Sequence, residues 1–138
     1  MRYLGLDLGT KTLGLALSDE LGMIATSYKI LRHEEDYESL IPQVIQVIEE
    51  KNVKELVLGL PKNMNNSVGE RGEICLRFKE MLEESTNLPV HLQDERLTTR
   101  QAENLLISND TSRKKRKKVI DSLAATIILQ SYLDRRER

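Results

Sequence analysis

The sequence predicts a single α/β domain over residues 1–138, built on one mixed sheet that helices cover on both faces. Two runs of alternating leucines open the chain around a Gly-Thr-Lys turn, which is typical of an antiparallel hairpin. Short apolar runs then alternate with segments of helical periodicity, the pattern of parallel strands joined by helices. A chain of 138 residues is long enough to bury one sizeable core.

The two faces of the first hairpin differ in character. One face consists of leucines, namely Leu4, Leu6, Leu8, Leu13, Leu15 and Leu17. The other face carries small residues such as Gly5, Gly14 and Ala16 around a single acid, Asp7. A carboxylate in an apolar strand costs stability unless it is exposed, paired or bound to a cation. We therefore expect another group to approach the sheet closely on this face.

A third strand and a helix follow the hairpin. Ile24–Leu31 is rich in β-forming residues and completes an antiparallel meander. Apolar residues from Leu40 to Ile48 recur at helical spacing, which predicts an amphipathic helix. Asp36 or Ser39 is a suitable cap for its start, and Asn52 ends it.

The remaining elements alternate between strands and helices. Val53–Pro61 is a short apolar run typical of a buried parallel strand, and the apolar spacing of Ile74–Leu82 predicts a helix. Leu88–Glu95 is the next strand, and Thr98–Gln101 fits a capping box that opens another helix. The last helix has its apolar positions between Ile120 and Leu129. The predicted order is therefore β-β-β-α-β-α-β-α-α.

The composition narrows the class of protein. Hydrophobic residues make up 39% and charged residues 31%, as in an ordinary soluble protein, and no apolar run approaches the roughly 20 residues of a membrane span. We expect the first strand to begin at Met1, which leaves no room for a signal peptide. The lone Cys75 has no partner for an internal disulfide, and no Cys/His cluster indicates zinc. We expect a cytoplasmic protein with no membrane association.

The formal net charge of −1 hides an uneven distribution. Residues 111–138 carry nine Lys and Arg and three Asp and Glu, a local charge of +6, whereas the other 110 residues sum to −7. Six of the basic residues are consecutive: Arg113, Lys114, Lys115, Arg116, Lys117 and Lys118. Such a run is most often a solvated segment, but its place between two predicted helices favours a loop that clamps a polyanionic substrate.

Three acids stand at positions that topology brings together. Glu95 lies at the carboxyl end of the last strand, where parallel sheets present ligand groups. Asp121 lies in an apolar helix one turn after the basic run, and the small residues Ala124 and Ala125 let that helix lie close to the glycine face of the hairpin. We therefore expect Asp7, Glu95 and Asp121 to converge on one side of the sheet.

Each acid also has a plainer interpretation. Asp7 is equally suited to bonding the amides of its turn. Glu95 could complement a helix N-terminus with Arg96 as its partner, and Asp121 could be an exposed acid near the start of its helix.

Convergence of three carboxylates would raise their pKa values through repulsion, and a divalent cation relieves the conflict. Mg²⁺ prefers hard oxygen ligands and leaves positions open for substrate phosphates. One or two Mg²⁺ or Mn²⁺ ions held by these acids would suit phosphodiester hydrolysis, and the basic run would hold the nucleic-acid backbone.

Four segments carry a family resemblance. LGLDLGTKTLGLA, VLGLPKNMNNSVGERG, DERLTT and IDSLAATIILQSYL together closely resemble the YqgF/RuvX family, over nearly the whole chain. The resemblance implies an RNase H-like fold with a five-stranded mixed sheet of three antiparallel and two parallel strands. It also implies that Asp7, Glu95 and Asp121 are the catalytic acids. The next acid, Asp134, is three to four helical turns further on, too far to share the site.

Weaker candidates for phosphate contact lie in predicted loops at strand ends. They are Thr10, Lys11, Lys62, Asn63, Arg71 and Arg96. Cys75 is more suited to the core than to nucleophilic catalysis, and His33 and His91 are expected to play local roles.

The resemblance favours a metal-dependent endonuclease that acts on structured nucleic acid, with the 5′ end of pre-16S rRNA as the leading substrate. Branched DNA is the alternative, and a resolvase that cuts both strands of a junction would need a symmetric homodimer. A non-catalytic nucleic-acid-binding factor and an ATP-binding phosphotransferase are further alternatives; the chain is short for the latter, which pairs two such domains. Aromatic residues make up only 4%, which argues against a stacking platform for single-stranded bases.

Overall fold

The computed structural model describes residues 1–61, 69–94 and 113–136, with the backbone alone for residues 113–122. Its elements in chain order are β1 (Arg2–Leu8), β2 (Thr12–Ser18), β3 (Ala25–Arg32), α1 (Leu40–Lys51), β4 (Val53–Leu60), α2 (Glu70–Thr86), β5 (Val90–Asp94) and α3 (Arg113–Arg136). The predicted helix that Thr98–Gln101 would open lies outside the described residues. None of the helices in these ranges combines the length and apolarity that a bilayer crossing requires.

One five-stranded mixed sheet organises the domain, as predicted. Its strand order is β3-β2-β1-β4-β5. The first three strands pair antiparallel, whereas β4 pairs parallel with both β1 and β5. β1 is therefore the central strand, and the carboxyl ends of β1, β4 and β5 share one edge of the sheet. That edge is where an α/β sheet presents its functional groups.

The leucine face of the sheet forms the larger core. The alternating leucines of β1 and β2 are buried there together with apolar residues of β4. α1 contributes Val44 and Val47, and α2 contributes Cys75 and Phe78, each of them 1% exposed or less. The helical spacing that the sequence predicted for both helices is thus confirmed, and Cys75 is a core residue.

The opposite face of the sheet is covered by α3. Tyr3, Ala16 and Val57 are buried there against Ala125 and Leu129. The close approach occurs at Gly5, where an added Cβ would lie 2.7 Å from the Cβ of Leu129 and 3.0 Å from the carbonyl oxygen of Ala125. Helices therefore cover both faces, and the glycine face of the hairpin receives the last helix as predicted.

A polar and aromatic cluster anchors the carboxyl-terminal half of α3. His91 stacks on Tyr132 with ring centroids 5.0 Å apart, and its Nε2 lies 2.5 Å from Oε1 of Glu55. The guanidinium of Arg136 lies over the Tyr3 ring at 5.0 Å. Burial, reinforced by the negative charge of Glu55, raises the pKa of both the Tyr3 and the Tyr132 hydroxyl above the ordinary value.

The start of α1 corrects one expectation, whereas its end confirms another. A 3-10 turn over Tyr37–Ser39 precedes the helix, and Ser39 already has helical dihedral angles. Its hydroxyl therefore donates back to the Asp36 carbonyl at 2.6 Å, and neither the Asp36 nor the Ser39 side chain caps the helix. Asn52 ends α1 in the left-handed region, with φ 55°, as expected of a C-cap asparagine.

The basic run is helical, which corrects its predicted loop conformation. α3 begins at Arg113, so the six residues from Arg113 to Lys118 form its first turns. Lysine and arginine are good helix formers, and a segment that continues into an anchored helix avoids the cost of nucleating one. Those two effects outweigh the repulsion between neighbouring charges.

Candidate functional site

Asp7 lies near the carboxyl end of the central strand. It is half-buried, and its Cα partner in β2 is Gly14. Because side chains alternate along a strand, Asp7 shares its face with Tyr3 and Gly5, which pack against α3. A carboxylate thus stands on the α3 side of the sheet beside residues too small to cover it.

The register of α3 on β1 bears on Asp121. Tyr3 contacts Tyr132 and Arg136, whereas Gly5 contacts Ala125 and Leu129, so α3 runs antiparallel to β1. Position 121 is one helical turn before Ala125. The α3 backbone at this position therefore lies toward the end of β1 that carries Asp7. The side chain of Asp121 lies outside the described residues.

β5 leads to the third predicted acid. The strand ends at Asp94, which pairs with Leu60 at the carboxyl edge of the sheet. Glu95 follows directly and lies outside the described residues. Within residues 1–61, 69–94 and 123–136, no three His, Cys, Asp or Glu side chains are grouped as metal ligands would be. The convergence of Asp7, Glu95 and Asp121 stays a prediction.

Two candidate phosphate contacts lie in the turn after β1. Thr10 and Lys11 are exposed, and Lys11 Nζ lies 3.8 Å from Oε2 of Glu34, itself highly exposed. An exposed ion pair of this kind contributes little to stability, so it leaves the Lys11 ammonium available to a phosphate.

His33 stabilises this turn through hydrogen bonds to its backbone. Its Nε2 lies 2.9 Å from the carbonyl oxygen of Gly9, and its backbone N–H donates to the Lys11 carbonyl at 2.9 Å. Because Nε2 faces an acceptor, it carries the proton, and Nδ1 accepts from the Glu35 N–H at 3.1 Å. His33 is 5% exposed, and its expected local role is to fix the backbone two residues after Asp7.

Arg71 lies at the start of α2 and reaches the same segment. Its guanidinium donates to the carbonyl oxygen of Leu8 at 3.2 Å and to the hydroxyl of Tyr37 at 3.4 Å. The Tyr37 ring in turn packs against His33, with centroids 5.1 Å apart. Arg71, predicted to contact phosphate, is thus engaged with the backbone immediately after Asp7.

Other predicted contacts have no described side chain. Lys62, Asn63 and Arg96 lie outside the described residues, as do the side chains of the six basic residues at the start of α3. The backbone of those six residues continues α3 beyond position 121, away from its anchored end.

Sequence reasoning missed Tyr37 and Gln93. Tyr37 belongs to an irregular segment with no periodicity to single it out. The sequence pattern does place Gln93 on the same face of β5 as His91, which is two residues earlier and contacts α3. One polar residue in a strand, however, does not by itself indicate a function.

Comparisons with known proteins agree with this architecture. A family model described as "RuvX: Holliday junction resolvase" matches residues 1–135. A Bacillus subtilis relative named "Putative pre-16S rRNA nuclease" is 54% identical over 137 residues, covering 97% of this chain and 98% of the relative. A relative of the same name from Bacillus cytotoxicus is 52% identical over 135 residues, with the same coverage.

Solved structures share the fold at low sequence identity. Thermus thermophilus RuvC in complex with a Holliday junction substrate has a TM-score of 0.61 and 17% identity, covering 99% of this chain and 96% of that one. The fowlpox virus Holliday junction resolvase has a TM-score of 0.58 and 15% identity, covering 98% of this chain and 99% of that one. The fold is thus the RNase H-like fold of these resolvases, and the chain belongs to the RuvX family of Holliday junction resolvases.

Proposed function

We propose that this protein is a metal-dependent endonuclease that hydrolyses phosphodiester bonds of structured nucleic acid, with the 5′ end of pre-16S rRNA as its substrate. The observation that carries the proposal is the packing of α3 on Gly5, by which the α3 backbone at position 121 lies toward the Asp7 end of β1. The names of relatives about 50% identical over almost the whole chain support the substrate.

The proposed acids fit a divalent cation by their chemistry. Aspartate and glutamate oxygens are the hard ligands that Mg²⁺ and Mn²⁺ prefer, and Asp7 lies half-buried beside glycines that leave room near the strand. Asp7, Glu95 and Asp121 would hold one or two such ions. The bound cation would supply charge stabilisation at the scissile phosphate and activate water for attack.

The third acid requires one condition of the chain. His91 lies on the α3 face of β5, and period-two alternation assigns Gln93 to the same face. The proposal requires this alternation to continue for one residue beyond Asp94, so that Glu95 shares the face of Asp7. β1 and β5 are two strand spacings apart, about 10 Å, a gap that two acidic side chains and a cation can bridge.

The basic start of α3 supplies the complementary charge. Six consecutive cations precede Asp121 on the same helix, and a local charge of +6 over residues 111–138 suits a polyanionic backbone. We assign to Arg113–Lys118, with Thr10 and Lys11 in the turn after β1, contact with substrate phosphates. Recognition would depend on the shape and phosphate geometry of structured RNA.

The test replaces Asp7 with asparagine, which keeps the side-chain shape and removes its charge. We expect Asp7→Asn to lower Mg²⁺- or Mn²⁺-dependent cleavage of a pre-16S rRNA 5′ leader by at least about a hundredfold. RNA binding and the melting temperature should stay close to those of the wild type. Asp36→Asn, an exposed aspartate before α1, is the matched control and should cleave normally. Undiminished cleavage by Asp7→Asn would remove the proposal.

A four-way DNA junction is the second candidate substrate. The family description and the junction-bound RuvC structure favour it. A resolvase cuts two strands symmetrically, so this alternative requires a homodimer with both sites facing one junction. Assaying the RNA leader and the junction side by side, with molecular mass measured in solution, separates the two. Salt-sensitive binding without cleavage of either substrate would indicate a non-catalytic factor.

A further inference from the structure

Gln93 on β5 carries a buried polar side-chain atom. Its Oε1 is buried and accepts no hydrogen bond from the parts of the chain that the structure describes. Buried polar side-chain atoms almost always have a partner, because leaving one without a partner destabilises the fold. An exception requires an explanation, and a ligand or ion that binds at the atom is one.

The sheet register places Gln93 level with Asp7. β4 pairs Leu58 with Leu6 of β1 and Gly59 with Gln93 of β5, so one step beyond Leu6 brings Asp7 level with Gly59. Asp7 and Gln93 thus stand in one row across the sheet, with Gly59 between them. Two strand spacings, about 10 Å, separate their Cα atoms.

Both side chains lie on the α3 face. Asp7 follows Gly5, which contacts Ala125, and Gln93 follows His91, which stacks on Tyr132. Gly59 has no side chain, so β4 places none between the carboxylate and the amide. The row Asp7–Gly59–Gln93 therefore has an acid at one side and a bare backbone in the middle. At the other side is an amide whose buried Oε1 accepts no hydrogen bond within the described residues.

An amide oxygen suits a divalent cation beside carboxylates. It is a hard, neutral ligand, so it adds coordination without adding to the repulsion among the acids. We infer that Gln93 is a further ligand of the cation site, its Oε1 directed to the ion that Asp7 binds. This inference rests on the proposed function, because it presupposes a divalent cation at Asp7.

Cation binding to the full chain tests the inference without an activity readout. Mn²⁺ affinity is measured by calorimetry and by the electron paramagnetic resonance of bound Mn²⁺, for wild type, Gln93→Leu and Gln93→Glu. We expect Gln93→Leu to weaken binding about tenfold, or about 1.4 kcal/mol, and Gln93→Glu to bind more tightly than wild type, because a carboxylate is a stronger ligand than a neutral amide. Gln46→Leu, at an exposed glutamine on α1, is the matched control and should bind normally.

Thermal unfolding provides a second readout with the opposite sign. Without metal, Gln93→Leu should melt about 3 °C higher than wild type, because it removes a buried oxygen that has no partner in the described residues. Saturating Mn²⁺ should raise the melting temperature of wild type more than that of Gln93→Leu. A glutamine that only supports the fold would lose stability on this substitution, with or without metal.

The outcomes separate this inference from the proposed function. If Asp7→Asn loses Mn²⁺ binding while Gln93→Leu and Gln93→Glu both bind as wild type does, Gln93 is not a ligand and the proposed site stands. If wild type binds no Mn²⁺, the metal dependence and the role of Gln93 both fail. Should Gln93→Leu not fold, an unchanged affinity in Gln93→Glu overturns the inference by itself.

Discussion

Gly5 sets how closely α3 approaches the sheet. A side chain at this position would collide with the Leu129 Cβ at 2.7 Å and the Ala125 carbonyl at 3.0 Å. Neither atom is the end of a flexible side chain, so the helix itself would have to shift. The α3 backbone near position 121 would then move relative to Asp7. Gly5 therefore contributes to the geometry of the proposed site as well as to packing.

We predict that Gly5→Ala lowers the free energy of unfolding by about 1–3 kcal/mol, the usual range for overpacking a core. Urea denaturation followed by circular dichroism measures this loss. Gly9→Ala is the matched control: its Cβ would approach Thr12 atoms no closer than 3.4 Å, so its unfolding curve should stay near wild type. Equal losses in both variants would contradict the packing explanation.

Asp19 shows the effect of backbone hydrogen bonds on a single carboxylate. Its Oδ1 accepts from the N–H groups of Ile24 at 3.0 Å and Met23 at 2.8 Å, which closes the turn between β2 and β3. These bonds, that from Ile24 most strongly, lower the pKa of Asp19 below its ordinary value of 3.8. A lowered pKa in the folded state makes the charged form stabilising.

The stabilisation by Asp19 is present above the pKa of the unfolded chain and is lost as the pH falls through that of the folded state. We predict that wild type has a higher urea midpoint than Asp19→Asn at pH 7. The difference should narrow as the pH falls below about 4, because protonated aspartate then resembles asparagine. A gap that stays constant down to pH 3 would show that charge plays no part.

At the scale of elements, the segment after β1 is held by groups from elsewhere in the chain. His33 follows β3, Tyr37 precedes α1 and Arg71 lies at the start of α2. His33 bonds the Gly9 carbonyl, and Arg71 bonds the Leu8 carbonyl. The Tyr37 ring packs against His33. Asp7 directly precedes this segment. From the leucine side of the sheet, the cluster therefore fixes the backbone at the carboxyl end of β1, next to Asp7.

In the wild type, the Gly9 amide donates to the Thr12 carbonyl at 2.8 Å. We predict that Arg71→Ala speeds hydrogen exchange of this amide and lowers the cleavage rate at saturating substrate. Arg71→Lys should recover part of both effects by donating to Leu8. If Arg71 instead contacts phosphate, the variant should weaken RNA binding and reduce its salt dependence while leaving amide exchange unchanged.

At the scale of the whole molecule, charge is separated along the chain. The last 28 residues carry +6 and the first 110 carry −7. The acidic majority would repel nucleic acid outside the site, whereas the start of α3 would attract it. Orientation of the substrate would then follow from the overall field as well as from individual contacts.

We predict that Lys114→Gln/Lys118→Gln weakens RNA binding and reduces the slope of log Kd against log salt by about 1.5, for two lost phosphate contacts. Titrations from 50 to 200 mM salt measure it. Lys51→Gln/Lys54→Gln is the matched control, because those lysines flank the amino end of β4, at the opposite end of the strand from the proposed site. An equal change in both pairs would indicate a general charge effect in place of a defined contact surface.

The secondary structure of this protein is largely a local property, and the sequence determined most of it. Period-two leucines, helical spacing and the C-cap Asn52 depend on neighbours a few residues away, so their patterns predicted the hairpin, α1 and α2. Small residues at Gly5 and Ala125 also predicted which helix covers which face, because only they permit close approach. The sequence motifs likewise suffice to identify the RuvX family.

Tertiary structure alone decided what depends on distant partners. The basic run joined α3 because a helix anchored at Tyr132 extends through it, which the helix propensity of six cations does not reveal by itself. Arg71 bonds the Leu8 carbonyl only because α2 packs beside the end of β1. Gln93 stands in the row of Asp7 only because the strand order brings β1, β4 and β5 together. Sequence periodicity determines which face a side chain occupies, whereas the three-dimensional register determines which groups meet there.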